Sequence, residues 1–135
     1  MILGIGTDLV NIHRIEKLIS KFGLKFYNKI FSSSELEKFT DFAKNKDMKI
    51  TSFCAKKFAA KEAFVKATGT GIGRGVNFND ITIGNNNLGK PIIELSERAQ
   101  KFLEGNYKKK MKEICIHVSI SDDYPFAHAM VTISC

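Results

Sequence analysis

The sequence has few of the features that mark secreted, membrane or disulfide-rich proteins. Its three cysteines, Cys54, Cys115 and Cys135, are odd in number and lack metal-ligand spacing, so they indicate neither a disulfide framework nor a metal site. No apolar run approaches membrane-spanning length, and the first residues lack the basic segment of a signal peptide. We therefore expect a cytoplasmic protein without a membrane span, in which Cys54 and Cys115 are reduced thiols on buried faces.

Acidic residues are also in short supply. The chain has 14 Asp and Glu against 21 Lys and Arg, a formal net charge of +7, and an excess of positive charge favours an anionic partner. Composition does not distinguish nucleic acid, a membrane surface, a nucleotide or an acidic protein. A length of 135 residues with 44% hydrophobic residues fits one domain, residues 1–135, with a modest core.

Hydrophobic periodicity predicts the order of helices and strands. A short strand near residues 2–5 precedes helices and a polar break at 45–47, and two hairpins are separated by one further helix. The predicted boundaries are a helix over 12–22, a capping box of Ser34 and Glu37, a long helix from Ile50, strands at 80–84 and 91–95, a helix from Ser96 to Gly105, and two last strands joined by a loop at 121–125. This order predicts an α+β fold with a mainly antiparallel sheet and a long central helix.

The stretch from residue 50 to residue 75 is the most informative. Glu62 and Lys66 lie four positions apart on one helical ridge, where an exposed ion pair is the simplest interpretation. Four glycines then occur at alternate positions, 69, 71, 73 and 75. One glycine would suffice to end the helix, so the alternation predicts a loop whose backbone can approach a ligand closely.

Residues 58–71, FAAKEAFVKATGTG, resemble the signature of the holo-acyl-carrier-protein synthases, the short class of phosphopantetheinyl transferases. The resemblance extends to residues 5–8 (IGTD), 89–91 (GKP) and 117–121 (HVSIS), and so to almost the whole chain. It implies transfer of the 4′-phosphopantetheine arm of coenzyme A to a serine of acyl carrier protein, in support of fatty acid biosynthesis. It also implies a homotrimer, because so short a chain corresponds to half of the longer transferases, whose site lies between two similar halves.

Asp8 and Glu62 offer oxygen ligands without His or Cys, which is the ligand type that Mg²⁺ prefers. From the residues alone, Asp8 could equally cap the helix that follows it. The resemblance implies that both carboxylates bind the metal, that Glu62 takes the serine proton directly or through a water, and that Lys66 meets the developing phosphate charge. The coenzyme would be contacted by Lys57, Lys66, Gly69, Thr70 and Gly71.

The first predicted helix has a basic polar face. It carries His13, Arg14, Lys17 and Lys21, and such faces are usually only solvated. The resemblance implies that Arg14 helps to dock the acidic carrier protein, and we extend this expectation to the other three residues.

Two other classes of function use part of this pattern. A nucleic-acid-binding module would use the positive charge, but Asp8 and Glu62 would repel phosphate unless a metal lay between them. A non-catalytic subunit that binds the carrier would keep Arg14 but has no use for Glu62, Lys66 and the glycines. The sequence also departs from the commoner family pattern, since Asp122 stands where many members have His. We interpret Asp122 as the start of a turn.

Overall fold

The computed structural model describes residues 1–43 and 50–135. Its elements are β1 (Ile2–Asn11), α1 (Ile12–Phe22), α2 (Leu24–Ile30), α3 (Ser33–Ala43), α4 (Ile50–Thr68), β2 (Ile81–Asn85), β3 (Pro91–Leu95), α5 (Glu97–Tyr107), β4 (Cys115–Asp123) and β5 (Phe126–Ser134). The polar break predicted at 45–47 lies outside the described residues.

Two antiparallel sheets build the β layer. One has the strand order β1-β5-β4, and the other is the β2-β3 hairpin. Helix α4 lies across β1 and β5, and its long buried face includes Phe64, Cys54 and a series of alanines. The α+β class, the antiparallel pairing and the long central helix are therefore confirmed.

Strand β1 lies unusually close to α4 because two of its residues are glycines. A Cβ atom added to Gly6 would lie 1.9 Å from the Ala63 carbonyl oxygen, and one added to Gly4 would lie 2.0 Å from that of Ala67. Any side chain at these positions would overlap the helix backbone. The glycines and the small alanines opposite them form a seam along which strand and helix touch through their backbones.

The two faces of β1 differ in composition because side chains alternate along a strand. Asp8 and Val10 point toward α4, as Gly4 and Gly6 would. Ile5 and Leu9 point to the opposite face and are 59% and 63% exposed. One strand thus supplies both a packed inner face and an apolar outer face.

Several predicted boundaries are wrong. Strand β1 does not stop near residue 5 but continues to Asn11, whose side chain accepts from the His13 N–H and caps α1. Asp8 therefore lies within the strand, and its interpretation as a helix cap is wrong. The capping box of α3 is formed by Ser32 and Glu35, each of whose side chains accepts from the other's backbone N–H.

The C-terminal half contains three further corrections. Gly105 lies inside α5, whose C-cap is Lys108 with a φ of 53°. Strand β4 continues to Asp123, so the predicted loop at 121–125 shrinks to Tyr124 and Pro125. Cys115 is exposed on β4, whereas Cys54 is buried as predicted, and burial raises the pKa of its thiol to about 12.

No helix within residues 1–43 and 50–135 is both long enough and apolar enough to span a membrane.

Candidate active site

Asp8 and Lys66 meet where β1 crosses α4. The Lys66 Nζ atom lies 2.8 Å from Asp8 Oδ1 and also donates to the Thr7 carbonyl oxygen at 3.0 Å. The Asp8 side chain is 14% exposed and that of Lys66 is 53% exposed, so the ammonium lies at the surface and the carboxylate below it. Among the described residues Lys66 pairs with Asp8 and not with Glu62, so the alternative interpretation of Glu62 and Lys66 as a simple ion pair is wrong.

Glu62 lies close enough to Asp8 for their charges to interact. Partial burial raises the pKa of Glu62, and the Asp8 carboxylate raises it further, while Lys66 and Arg14 act in the opposite direction. Among the residues that the structure describes, none forms a hydrogen bond with the Glu62 side chain, and its carboxylate remains available to a ligand. Two carboxylates held near each other, with cations around them, form a site in which a bound cation would relieve repulsion.

The glycine loop forms the wall of a shallow cleft beside these groups. The cleft has a volume of about 410 Å³ and is lined by Glu62, Lys66, Gly69, Gly71 and neighbouring apolar side chains. Gly69 and Gly71 have φ angles of 75° and 80°, which favour glycine. A Cβ atom at either position would meet no described atom within 4 Å, so the open side of the loop can be approached by a ligand. Thr70 is tied to the end of α4 by a 3.0 Å contact between its hydroxyl and that of Thr68.

Lys57 lies in a different groove, between α4 and the β2-β3 hairpin. Its Nζ atom donates to the Ile83 carbonyl oxygen, and the groove is also lined by Phe53 and Asn85. The groove and the cleft of Glu62 share no described lining residue. The structure therefore brings together Asp8, Glu62, Lys66 and the glycines within one chain, but it does not bring Lys57 to them.

The basic face of α1 borders the site. The Arg14 guanidinium carbon lies 6.0 Å from the centre of the Phe58 ring, one helical turn before Glu62 on α4. His13 contacts Glu16 at 3.4 Å and the Tyr124 hydroxyl at 3.2 Å. Lys17 and Lys21 are exposed further along the same surface. A positively charged surface thus extends from the Glu62 cleft along α1.

Asp122 does not start a turn, as the sequence suggested, but lies in β4 opposite Ala127. Its Oδ1 atom is 3.9 Å from Lys56 Nζ, and both side chains are a little less than half exposed. It lines the Lys57 groove together with Pro91 and Gly89 of the hairpin. Its carboxylate therefore faces the groove rather than the cleft of Glu62.

Two contributors to the site were missed in the sequence. The Gly4 and Gly6 seam brings β1 and α4 close enough for Asp8 to reach Lys66. The available signal was two glycines two positions apart on a strand, a distance of about 6 Å that matches four positions on a helix. Lys61 is fully buried beside Glu62 and pairs with Glu35. No local pattern distinguishes it from an exposed helical lysine.

The match to a family model covers most of the chain. Residues 4–129 match the 4′-phosphopantetheinyl transferase superfamily, and the chain belongs to this family.

Two of the similar proteins share its length. The holo-[acyl-carrier-protein] synthase of Orientia tsutsugamushi (strain Boryong) is 44% identical over 134 residues, covering 99% of this chain and 98% of that protein. The crystal structure of the holo-[acyl-carrier-protein] synthase from Neisseria meningitidis superposes with a TM-score of 0.85 and 38% identity over the whole of both chains.

A third relative was solved with a ligand. The holo-[acyl-carrier-protein] synthase of Helicobacter pylori in complex with coenzyme A gives a TM-score of 0.76 at 36% identity, covering 96% of this chain and 99% of that chain.

Proposed function

We propose that this protein transfers the 4′-phosphopantetheine arm of coenzyme A to a serine of apo acyl carrier protein. The serine oxygen forms a bond to the phosphorus that carries the arm, and the bond from that phosphorus to the bridging oxygen breaks. Adenosine 3′,5′-bisphosphate leaves, and the serine loses its proton. The observation that carries the proposal is the junction of Asp8, Glu62 and Lys66 with a glycine loop, in a chain that is 44% identical to a holo-acyl-carrier-protein synthase.

Magnesium is part of the proposal, and the donor set fits it. Asp8 and Glu62 provide carboxylate oxygens close to each other. In the described part of the chain no group of three or more His, Cys, Asp or Glu side chains could hold a metal, so the proposed site has two protein ligands. Mg²⁺ suits such a pair because it keeps several waters and takes further ligands from substrate phosphates. When bound, the ion would neutralise and polarise the pyrophosphate of the coenzyme.

The residues of the chain have separate roles in this proposal. Glu62 accepts the serine proton, directly or through a water. The exposed Lys66 ammonium stabilises the charge that develops on the leaving phosphate. Gly69, Thr70 and Gly71 admit the coenzyme close to the backbone, and Lys57 contacts another part of it.

We also propose a homotrimer with its sites between subunits, located in the cytoplasm. The outer face of the larger sheet is apolar, with Ile5, Leu9, Phe126 and Met130 each between 45% and 63% exposed, and an interface would cover it. One coenzyme could contact Lys57 of one subunit and Glu62 of another, because these residues lie in separate clefts of a single chain.

The proposed location in the cytoplasm is supported by the cysteines. All three are free thiols, which are typical of a reducing compartment.

Assembly can be tested by light scattering. The wild-type protein is expected to scatter as three chains, and Met130→Lys, which places a charge on the outer face, is expected to scatter as one chain with little transfer activity. Asn87→Lys, which places the same charge on the exposed turn of the β2-β3 hairpin, is the control and is expected to scatter as three chains. A wild-type monomer that is fully active at assay concentration would contradict the trimer.

Transfer itself can be tested by intact mass spectrometry of the carrier. Incubation of the protein with coenzyme A, Mg²⁺ and apo carrier protein is expected to add one phosphopantetheine arm to the carrier. A carrier whose acceptor serine is replaced by alanine should remain unmodified. An unmodified wild-type carrier, under conditions in which an established transferase modifies it, would overturn the proposed function.

Substitution of Arg14 should affect the carrier more than the coenzyme. Arg14→Ala is expected to raise KM for the carrier about tenfold and that for coenzyme A much less, because a charge at the rim steers an acidic partner. Added salt should weaken carrier binding by wild type more than by the variant. Lys112→Ala, which removes an exposed charge from the segment between α5 and β4, is the matched control. Equal effects of Arg14→Ala on both substrates would contradict the docking role.

Asp122→Ala is expected to change kcat/KM by less than about tenfold, or roughly 1.4 kcal/mol. The Asp122 side chain is nearly half exposed, its contact with Lys56 is 3.9 Å long, and such surface pairs contribute little. Steady-state kinetics with both substrates would check this. A loss as large as that caused by Glu62→Gln, restored by raised Mg²⁺, would instead make Asp122 a metal ligand.

A further inference from the structure

Glu35, in the first turn of α3, is a buried carboxylate with two differently used oxygens. Its Oε1 atom accepts from Lys61 Nζ at 2.5 Å and from the Ser32 N–H at 3.1 Å. Lys61 is fully buried and also donates to the carbonyl oxygens of Ile30 at 2.6 Å and Phe78 at 3.0 Å. All three ammonium protons and one carboxylate oxygen are accounted for by this cluster.

The second oxygen, Oε2, has no hydrogen-bond partner among the described residues although it is buried. A buried oxygen without a hydrogen bond is unfavourable. The ion pair with Lys61 uses Oε1 and does not explain the burial of Oε2. The Lys57 ammonium lies 3.8 Å from this oxygen and is held from the other side by the Ile83 carbonyl. Glu35 therefore links the buried pair to the groove in which Lys57 lies.

The charges around Lys57 give Glu35 a specific effect. Burial lowers the pKa of Lys57, and the neighbouring Lys38 and Lys56 lower it further, whereas Glu35 raises it. Among these neighbours, Glu35 is thus the group that favours the ammonium form of Lys57. It lines the groove together with Lys38, Lys57 and the β2 backbone, in a space of about 240 Å³.

We propose that Glu35 is a positioning residue for coenzyme binding. Its Oε2 atom holds the Lys57 ammonium between α3 and the Ile83 carbonyl, so that the remaining ammonium protons point toward an anionic group of the coenzyme in the groove. This inference rests on the proposed function, in which Lys57 contacts the coenzyme. It assigns to Glu35 an effect on coenzyme affinity rather than on the chemical step.

A double-mutant cycle tests this inference. Glu35→Gln and Lys57→Ala are each expected to raise the Kd for coenzyme A, measured by calorimetry, about fivefold, and the double variant is expected to raise it no further, because the first effect acts through Lys57. KM for coenzyme A should follow Kd, while kcat and KM for the carrier stay within about twofold of wild type. A purely structural Glu35 would lower the melting temperature without this separation of the constants.

Folding of the single variant is controlled separately. Glu35→Gln leaves the Lys61 ammonium buried without a counter-charge and could unfold the protein. If circular dichroism shows that it does, the variant Glu35→Gln/Lys61→Gln takes its place, because it retains hydrogen-bonding groups without either charge. Failure of both variants to fold would assign Glu35 to folding alone and overturn the inference. Effects that add to that of Lys57→Ala would also overturn it. A wild-type protein that neither binds nor transfers from coenzyme A would instead remove the proposed function itself.

Discussion

Glu62→Gln is expected to lower the rate of phosphopantetheine transfer by roughly a thousandfold, and Asp8→Asn by a similar factor, because each removes several kcal/mol of metal-derived stabilisation. Both substitutions keep the shape of the side chain and remove only its charge. In Glu62→Gln the candidate base is lost as well. The rate is measured as holo carrier formed per minute at saturating Mg²⁺ and coenzyme A.

The fold should survive both changes. Glu62 is only half-buried, and Asp8 contacts Lys66 at the edge of the site rather than in the core. Circular dichroism melting curves would verify this, and Glu94→Gln, an exposed change on β3, provides the matched control for loss of one carboxylate. Turnover close to wild type in either site variant would contradict the metal assignment.

Gly6→Ala is expected to destabilise the protein by about 3 kcal/mol, at the upper end of overpacking effects. The new methyl carbon would lie 1.9 Å from a backbone oxygen of α4, and a helix backbone cannot yield as a flexible side chain does. For a domain of this size the melting temperature should fall by about 10 °C. Thermal unfolding followed by circular dichroism measures both quantities.

Gly105→Ala is the control for Gly6→Ala. Gly105 lies within α5, and an added Cβ would meet no described atom within 4 Å. Alanine is favoured over glycine inside a helix by up to about 1 kcal/mol, so this variant should be slightly more stable than wild type. If both variants melted alike, the close contact of β1 with α4 would not be what the glycines provide.

The residues of the site could be named from the sequence, but their pairing could not. Helical spacing offered Glu62 as the partner of Lys66, whereas β1 brings another carboxylate, that of Asp8, to the same ammonium. This contact joins positions 58 residues apart. Propensity and periodicity describe only neighbours along the chain, and tertiary contacts decide between competing partners.

The capping box of α3 and the burial of Lys61 also depend on contacts between residues that are distant in the sequence. The chain offers overlapping capping boxes, Ser32 with Glu35 and Ser34 with Glu37, and the first one forms because Glu35 is also drawn inward by Lys61. Lys61 lies 26 residues from that carboxylate, so its burial has no local signal. The order of helices and strands, which depends on local apolar patterns, was predictable.

Side chains alternate along β1, so the face on which each of them lies depends on the number of residues in the strand. Substitutions at Ile5 or Leu9 alter only the outer surface, and substitutions at Gly4, Gly6 or Asp8 alter only the contact with α4. An insertion or deletion of one residue before Asp8 would exchange the two sets, because the side-chain period of a strand is two. After a deletion, Leu9 would face Lys66, and after either change the Asp8 carboxylate would face away from Glu62. A change in the length of this segment therefore removes the site and the apolar outer surface together, whereas a substitution at one position affects only one of the two faces.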